Sequence, residues 1–289
     1  MREEAVLPLI RNVSDTARWV AMYRAFESER SDALFRDPWA ATLAGERGRE
    51  IVELMPHGKR LGWPMVVRTA VMDEIILREV AAGADTVINL AAGLDTRPYR
   101  LDLPTRLRWV EVDLGPILEE KTATLRGETP RCTLERIHAD LADPAARADA
   151  LARAAAGSKK ALVVTEGLLI YLTPDDVAAL ARDLASQSAI GLWLSDLASP
   201  QLLEWMAPRW GKVVAEGGAP FRFGPANGTE FFRPSGWRER EFRGSLDESR
   251  RLGREMPGAW FFRLLGFFAP AEKKAMWKRF SGYVVLERA

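Results

Sequence analysis

Thr86-Val87-Ile88-Asn89-Leu90-Ala91-Ala92-Gly93-Leu94-Asp95-Thr96 passes from an apolar run into small residues and then into polar ones. The apolar run, rich in β-branched side chains, reads as a short buried strand. The small residues read as a tight turn, where missing side chains let the backbone approach a ligand closely. Any strand-to-helix turn wants Gly or Ala, so the turn alone admits a purely structural reading as well.

Four further apolar runs follow: Trp109–Asp113, a weaker Ile137–Asp140, Ala161–Glu166 and Ile190–Asp196. Helical stretches separate them, over 115–126 and over 174–186, the latter with Thr173 as cap and Pro174-Asp175-Asp176 in its first turn. Strands alternating with helices predict a parallel sheet covered on both faces. Upstream, residues 14–55 read as helical, with Ser14 or Asp15 as cap and a second start at Asp37-Pro38. A third helix is expected from about Pro64 to Ala82, ending near Gly83. Residues 197–236 carry no clean period and read as an insertion; Trp237–Phe242 is strand-like, 245–256 helical, and Gly282–Arg288 a last strand. The resulting division is a helical lid over 1–83, a core over 84–196, a cap over 197–270, and a final helix and strand over 271–289.

Three successive predicted strands, the second to the fourth, end in the acids Asp113, Asp140 and Glu166. Asp113 lies twenty positions after Gly93, a spacing at which a carboxylate can accept both hydroxyls of a bound ribose; it can equally cap the 115–126 helix. Asp140, followed by Leu141, and Glu166 end two more runs. Carboxyl ends of parallel strands are where open α/β sheets bind ligands. Three acids there suit a ligand with hydroxyls, an amino group and a positive charge.

The bulk numbers narrow the field. The chain has 289 residues, 47% of them hydrophobic, enough for one large α/β domain with an insertion. Its 41 basic residues nearly balance its 40 acidic ones, so bulk charge points to neither nucleic acid nor an anionic membrane. A single cysteine, Cys132, leaves no internal disulfide. With His57 and His138 the only histidines, a zinc site is not expected. Acids at Glu3 and Glu4 do not suit a secretory signal, and no apolar run reaches membrane-spanning length, so a soluble cytoplasmic protein is expected.

Taken in order, several stretches resemble the leucine carboxyl methyltransferase family, including its bacterial branch of S-adenosylmethionine-dependent enzymes. They are Ser14–Ala17 with Arg36–Trp39; Arg68-Thr69 with Met72-Asp73; Leu90–Arg97; Glu111–Leu114; Asp140-Leu141; and Glu166–Pro174, and together they span residues 14–186. The resemblance implies a Rossmann-like class I methyltransferase: a seven-stranded, mostly parallel sheet with an antiparallel last strand, N-terminal helices and an inserted cap. It also implies roles. Arg68 would pair with the cofactor carboxylate in a two-bond fork. Ala91, Ala92 and Gly93 would face its methionine part. Asp113, beside Leu114, would hold the ribose. Asp140 would accept from the adenine amino group and the Leu141 N–H would serve a ring nitrogen. Glu166 would lie close to the cofactor amino group, and Tyr171 near the mouth of the site. The family often has Gly where Ala91 stands. A lysine found near the cofactor in the eukaryotic protein-modifying members has no counterpart here; Arg18, Tyr23 and Arg24 are the candidates for its place, Tyr23 also for contact with the acceptor.

Methyl transfer is an in-line displacement with a neutral leaving group, so alignment should supply most of the acceleration, on the order of 7–11 kcal/mol. A carboxylate acceptor needs no base at neutral pH, whereas a phenol or alcohol benefits from one. Neither histidine offers a convincing base, and no catalytic side chain is assigned. The expected acceptor is a small-molecule carboxylate or phenol of polyketide-like character, in a pocket formed by the N-terminal helices and the aromatic residues Trp205, Trp210, Phe221, Phe223, Phe231, Phe232, Trp237, Trp260, Phe261, Phe262, Phe267 and Phe268. Any one of these can instead build the core of the insertion. Arg222, Arg233, Arg238, Arg240, Arg243, Arg250, Arg251 and Arg254 form either a solvated face or an anion-binding mouth. Other readings are a protein C-terminal carboxyl methyltransferase, a cofactor-binding protein without turnover, and an NAD-dependent oxidoreductase. The last lacks G-x-G-x-x-G and would set Asp95 where a pyrophosphate needs uncharged N–H groups. Oligomeric state is not legible.

Overall fold

A computed structural model describes residues 8–256, 258–259 and 269–289. The sheet contains β1 (Thr86–Leu90), β2 (Arg108–Asp113), β3 (Thr133–His138), β4 (Ala161–Thr165), β5 (Ile190–Ala198), β6 (Trp237–Gly244) and β7 (Ser281–Arg288). Its order is β3-β2-β1-β4-β5-β7-β6. β3, β2, β1, β4 and β5 pair in parallel, while β7 runs antiparallel between β5 and β6. The chain leaves β1 outward to β2 and β3 and then returns to β4 on the other side of β1. That reversal opens a crevice at the carboxyl ends of β1 and β4.

Side chains alternate across each strand. Ile88, Leu90, Val110, Val112, Val163 and Trp193 face one layer, containing α6 (Pro144–Ala155) and α7 (Pro174–Ser186). Val87, Trp109, Leu162, Val164, Leu192 and Leu194 face the other, formed by Val67, Val71, Met72, Ile75 and Ile76 of α3 (Trp63–Ala81) with Leu101, Leu103 and Leu107. β3 is the exposed edge, and only Ile137 within it is buried, which explains its faint sequence signal.

A third apolar cluster joins α1 (Val13–Ser28) and α2 (Ala40–Leu54) to Leu94 and Ile117 near the strand ends, and to Met206, Trp210 and Val214 of the cap. The α1 cap is the Asn12 side chain, which accepts from Asp15 N–H at 3.1 Å; Ser14 and Asp15 already lie inside the helix. α2 begins two residues after Pro38. α3 carries Pro64 in its first turn, and α7 has the expected Thr173 cap with a reciprocal Asp176 bond. After β5, α8 (Pro200–Met206) and α9 (Lys212–Glu216) pack by the N-terminal helices, the 3₁₀ segment Gly228–Ser235 packs into the core beside β5, β6 completes the sheet and α10 (Ser245–Arg251) follows it. Among the described residues no helix is long and apolar enough to cross a membrane.

Candidate functional site

The turn after β1 is built from backbone that most residues avoid. Ala91 has φ 52° and Gly93 φ 49°. Left-handed backbone strains an alanine and costs glycine little, so the turn is held by its surroundings. Asp113 supplies one hold. One carboxylate oxygen accepts the Gly93 N–H at 2.6 Å and the other its neighbour's, Leu114, at 2.7 Å. Lone pairs remain for two further donors. Burial pushes the Asp113 carboxyl above the ordinary range, against those two backbone bonds and the Lys121 charge. The cap of α5 (Gly115–Thr124) is Leu114, without a side-chain bond, so Asp113 serves the turn and not that helix end.

The other side of the crevice is a charged cluster. Arg68 of α3 donates from Nε to Glu166 at 2.9 Å and from Nη1 to Asp196 at 3.0 Å. Burial opposes its charge, but Glu166 and Asp196 raise its affinity for the proton further. Two of its N–H groups are thereby used, which leaves enough for a two-bond fork to a ligand carboxylate. Asp196 also accepts the Gly167 N–H at 2.7 Å. Gly167 has φ 63°, and a Cβ there would lie 3.2 Å from Arg68 Nη1, so the glycine admits the guanidinium. Glu166 meets Arg97 at 2.7 Å as well. Burial would raise the Glu166 carboxyl, yet Arg97 and Arg68 hold it below the ordinary range. Asp95 is likewise buried, and the charges of Arg97, Lys121 and Arg100 keep it far below that range.

Adjacent strands stand roughly 5 Å apart, so Asp113 on β2 and Glu166 after β4, two strands away, are separated by roughly 10 Å along one edge. Asp140 continues that edge beyond β3. It is exposed, with one oxygen accepting from Ala142 N–H at 2.9 Å. Leu141 gives its carbonyl to Arg147, and its N–H has no partner among the described residues. The structure thus brings Arg68 and Glu166 into contact, ties Gly93 to Asp113, and ranges Asp140 and Leu141 alongside.

Tyr171 lies half-buried after β4, stacked on Phe221 with ring centroids 5.9 Å apart and in hydrogen-bond contact with the Thr16 side chain. Burial raises its hydroxyl above the ordinary phenol range, with Arg68 pulling the other way. Tyr23 is placed elsewhere. It is buried among the N-terminal helices, accepts from Trp19 Nε1 and donates to the Gly58 carbonyl, both at 2.8 Å, and its hydroxyl is pushed up to about 12 by burial. Arg18 pairs with Glu120 on the outer side. Arg24 is the residue of the three that reaches the turn: it donates to the Leu94 carbonyl at 2.6 Å and to Asp37 at 2.8 Å, and Asp37 accepts from Thr96 at 2.7 Å. Ala17 rests directly over Gly93, 3.3 Å from where a Cβ would stand. α1 therefore roofs the turn.

The cap aromatics divide. Trp205 and Trp210 pack with Trp19 of α1, Phe221 lines the Tyr171 side, and Phe223, Phe231, Phe232 and Trp237 join Trp193 in the core. Trp260, Phe261, Phe262, Phe267 and Phe268 lie outside the described residues. Arg233, Arg238, Arg240, Arg243, Arg250 and Arg251 face acids with their own side chains partly or well exposed, whereas Arg254 is held largely inside against the buried Glu27. Two surface hollows of about 420 and 440 Å³ sit on and just after α2, away from the strand ends. Among the described residues no group of His, Cys, Asp and Glu could hold a metal ion.

Two residues of this cluster were not singled out from the sequence. Asp196 ends the fifth apolar run, the same signal that marked the other acids. Arg97 closes the family-like stretch Leu90–Arg97, but two of its three carboxylate partners, Asp73 and Glu166, are distant in the chain.

Residues 17–185 match the model of the leucine carboxyl methyltransferase family. A relative from Frankia alni, named "Putative S-adenosyl-L-methionine-dependent methyltransferase", is 37% identical over 61% of this chain and 65% of its own length. One of the same description from Streptomyces coelicolor is 38% identical with the same coverage, so the match spans less than two thirds of these relatives' length. A Parafrankia relative of that description is 33% identical over 86% of both chains. Among solved structures, a DUF574 family protein from Streptomyces avermitilis superposes with a TM-score of 0.58 at 14% identity, covering 93% of this chain and 97% of its own. A protein from Thermobifida fusca, titled a "putative methyltransferase", superposes with a TM-score of 0.59 at 13% identity, covering 99% and 96%. These superpositions identify the fold.

Proposed function

The chain belongs to the leucine carboxyl methyltransferase family, and from that premise we propose that it transfers a methyl group from S-adenosylmethionine to an oxygen of a small-molecule acceptor, a carboxylate or an acidic phenol. The observation that carries this reading is the single edge at the β1/β4 reversal. Along it stand Arg68 with N–H groups to spare, Glu166 held ionised, and Asp113 with lone pairs to spare, in the order that a carboxylate, an ammonium and a ribose require. When bound, S-adenosylmethionine supplies an electrophilic methyl on a positively charged sulfur. The chain's part is then to hold the two ends of that molecule and align the acceptor oxygen. Asp140 and the Leu141 N–H would serve the adenine edge, and Ala91, Ala92 and Gly93 the methionine part.

An acceptor that is already ionised needs no base, and among the described residues neither histidine stands at the edge. His57 lies in the loop before α3 and His138 at the exposed end of β3. Tyr171 stays protonated at neutral pH, since burial raises its hydroxyl further. Tyr171 and Phe221 offer an aromatic wall to a ring-bearing acceptor. A nicotinamide dinucleotide is disfavoured: the Asp95 carboxylate stays charged within the turn where a pyrophosphate would need bare N–H groups.

Isothermal titration with S-adenosylmethionine and with NAD, followed by transfer of a labelled methyl to a panel of carboxylic acids and phenols, tests the proposal. Binding of the first and not the second is expected, with label appearing in ester or aryl ether. Heat with NAD alone sinks it, and binding without any transfer across the panel reduces the protein to a cofactor carrier.

A further inference from the structure

We infer that Arg97 is a positioning residue for ligand binding at this edge: from within the protein it holds the Glu166 carboxylate in place. The inference rests on the proposed function for the identity of the ligand, but the geometry behind it is independent of that identity.

The Arg97 side chain is 2% exposed and meets carboxylates from three elements. Nε donates to Asp73 of α3 at 2.6 Å. Nη1 donates to Asp95 of the turn at 2.8 Å and lies 2.7 Å from Glu166 after β4. The Arg97 backbone N–H binds Asp95 too, at 2.9 Å. Asp73 is shared with Arg100 through two bonds of 2.6 and 2.8 Å, and Asp95 with Asn89 at 2.8 Å. Each of the three carboxylates therefore has a further side-chain donor. For Glu166 among the described residues it is Arg68, the residue whose remaining N–H groups would be spent on a ligand.

Packing alone does not account for this arrangement. Arg97 Nη2 and Arg100 Nε are buried with no hydrogen-bond partner. Such orphaned donors are costly, and well-packed apolar residues would stabilise the same space at least as well as a web of charges. A web kept at that cost fits a role in presenting Glu166. The charged and titratable groups facing Glu166 are Arg97, Arg68 of α3, Asp95, Asp196 of β5 through Arg68, and Tyr283 of β7. Without Arg97, one guanidinium would face Glu166 and Asp196, with Asp95 close by. Glu166 would then keep its proton to higher pH than it does beside Arg97, and would attract a cationic ligand less as pH falls.

The test follows Glu166 itself and the ligand. Carboxyl ¹³C shifts in the ligand-free protein, with the Glu166 signal assigned by its loss in Glu166→Gln, report its titration. Calorimetry with S-adenosylmethionine between pH 5.5 and 7 reports binding. In Arg97→Gln the Glu166 titration should move up, and the ratio of variant to wild-type dissociation constants should grow by about tenfold from pH 7 to 5.5. Arg97→Lys keeps a charge but not the fork and should show the same trend at smaller size. In the Glu166→Gln background, Arg97→Gln should add no pH dependence. A folded Arg97→Gln whose Glu166 titration and binding profile both run parallel to wild type overturns the inference. Should that variant not fold, an Arg97→Lys indistinguishable from wild type in both measures does the same. Failure of the wild-type chain to bind S-adenosylmethionine at any pH would sink the proposed function instead, and the carboxyl titration would still decide the role of Arg97.

Discussion

Replacing Asp113 probes two roles of one carboxylate with two separable readouts. In Asp113→Ala the N–H groups of Gly93 and Leu114 lose their acceptors. Leu114 is exposed, so water can serve its N–H and that loss is small. Gly93 lies under Ala17 of α1, so its N–H is left poorly solvated. A hydrogen bond to a charged group contributes about 1.5–3 kcal/mol, and that is the stability loss expected in urea unfolding. The lost ribose bonds should weaken S-adenosylmethionine binding by a further ~1–3 kcal/mol, or roughly 5- to 150-fold in dissociation constant by calorimetry. Asp113→Asn keeps one acceptor oxygen and should fall between wild type and alanine in both measures. If Asp113→Ala unfolds at the wild-type urea midpoint, the Gly93 contact is not what holds the turn. If stability falls while the dissociation constant stays put, Asp113 is a brace for the turn and no part of the ligand site.

Arg68→Lys should fold, yet bind S-adenosylmethionine about tenfold more weakly, because an ammonium cannot copy a two-bond fork while also bridging Glu166 and Asp196; equal affinity in calorimetry would confine Arg68 to a structural role. Lys121→Met removes a fully buried ammonium that lies 2.6 Å from Glu111, and with Arg136 still 2.9 Å from that acid the cost should sit at the low end of the range for broken buried pairs, about 3 kcal/mol, read as a fall in Tm. An unchanged Tm would show that Arg136 alone satisfies Glu111. The Glu166 and Asp95 carboxylates are both held below their ordinary values of 4.5 and 3.8, so their contribution to stability is fully present above those values and is lost as pH falls below them; Asp113, whose carboxyl is raised, acts in the opposite sense. Urea midpoints should therefore stay level in this respect from pH 7 to 5 and drop below about 4.5, and a midpoint that rises on acidification would contradict the assignment.

Much of this fold is legible in local patterns. β1, β2, β4 and β5 are largely buried on both faces and appear as mainly apolar runs, and each sets the position of the acid that ends or follows it. β3 is nearly lost because an edge strand needs few apolar side chains; its bounds, Thr133–His138, fall upstream of the run over 137–140. The cap gives no period because it is made of short helical pieces packed by scattered aromatics. At the site, Asp113 and Glu166 stand out by strand ends and spacing, whereas Arg68, inside α3, is marked only by the family resemblance. Tyr23 is misleading: a tyrosine on a lid helix can face inward to a carbonyl, here Gly58, as readily as outward to a ligand. Apart from Asp95, the side-chain partners of Arg97 and Asp196 lie 24 to 128 positions away, and such ion pairs leave no periodic trace in a sequence.

The place of β7 has a consequence for how the chain assembles. β6 is made first, but its neighbour in the sheet is β7 and not β5. Until residues 281–288 have been synthesised and threaded into that gap, residues 237–244 have no strand to pair with and the far side of β5 stands open. An unpaired strand beside an open sheet edge invites association with other chains. Pairing of β7 is thus a two-sided zippering in competition with aggregation, and substitutions that weaken β7 should lower soluble yield as well as equilibrium stability.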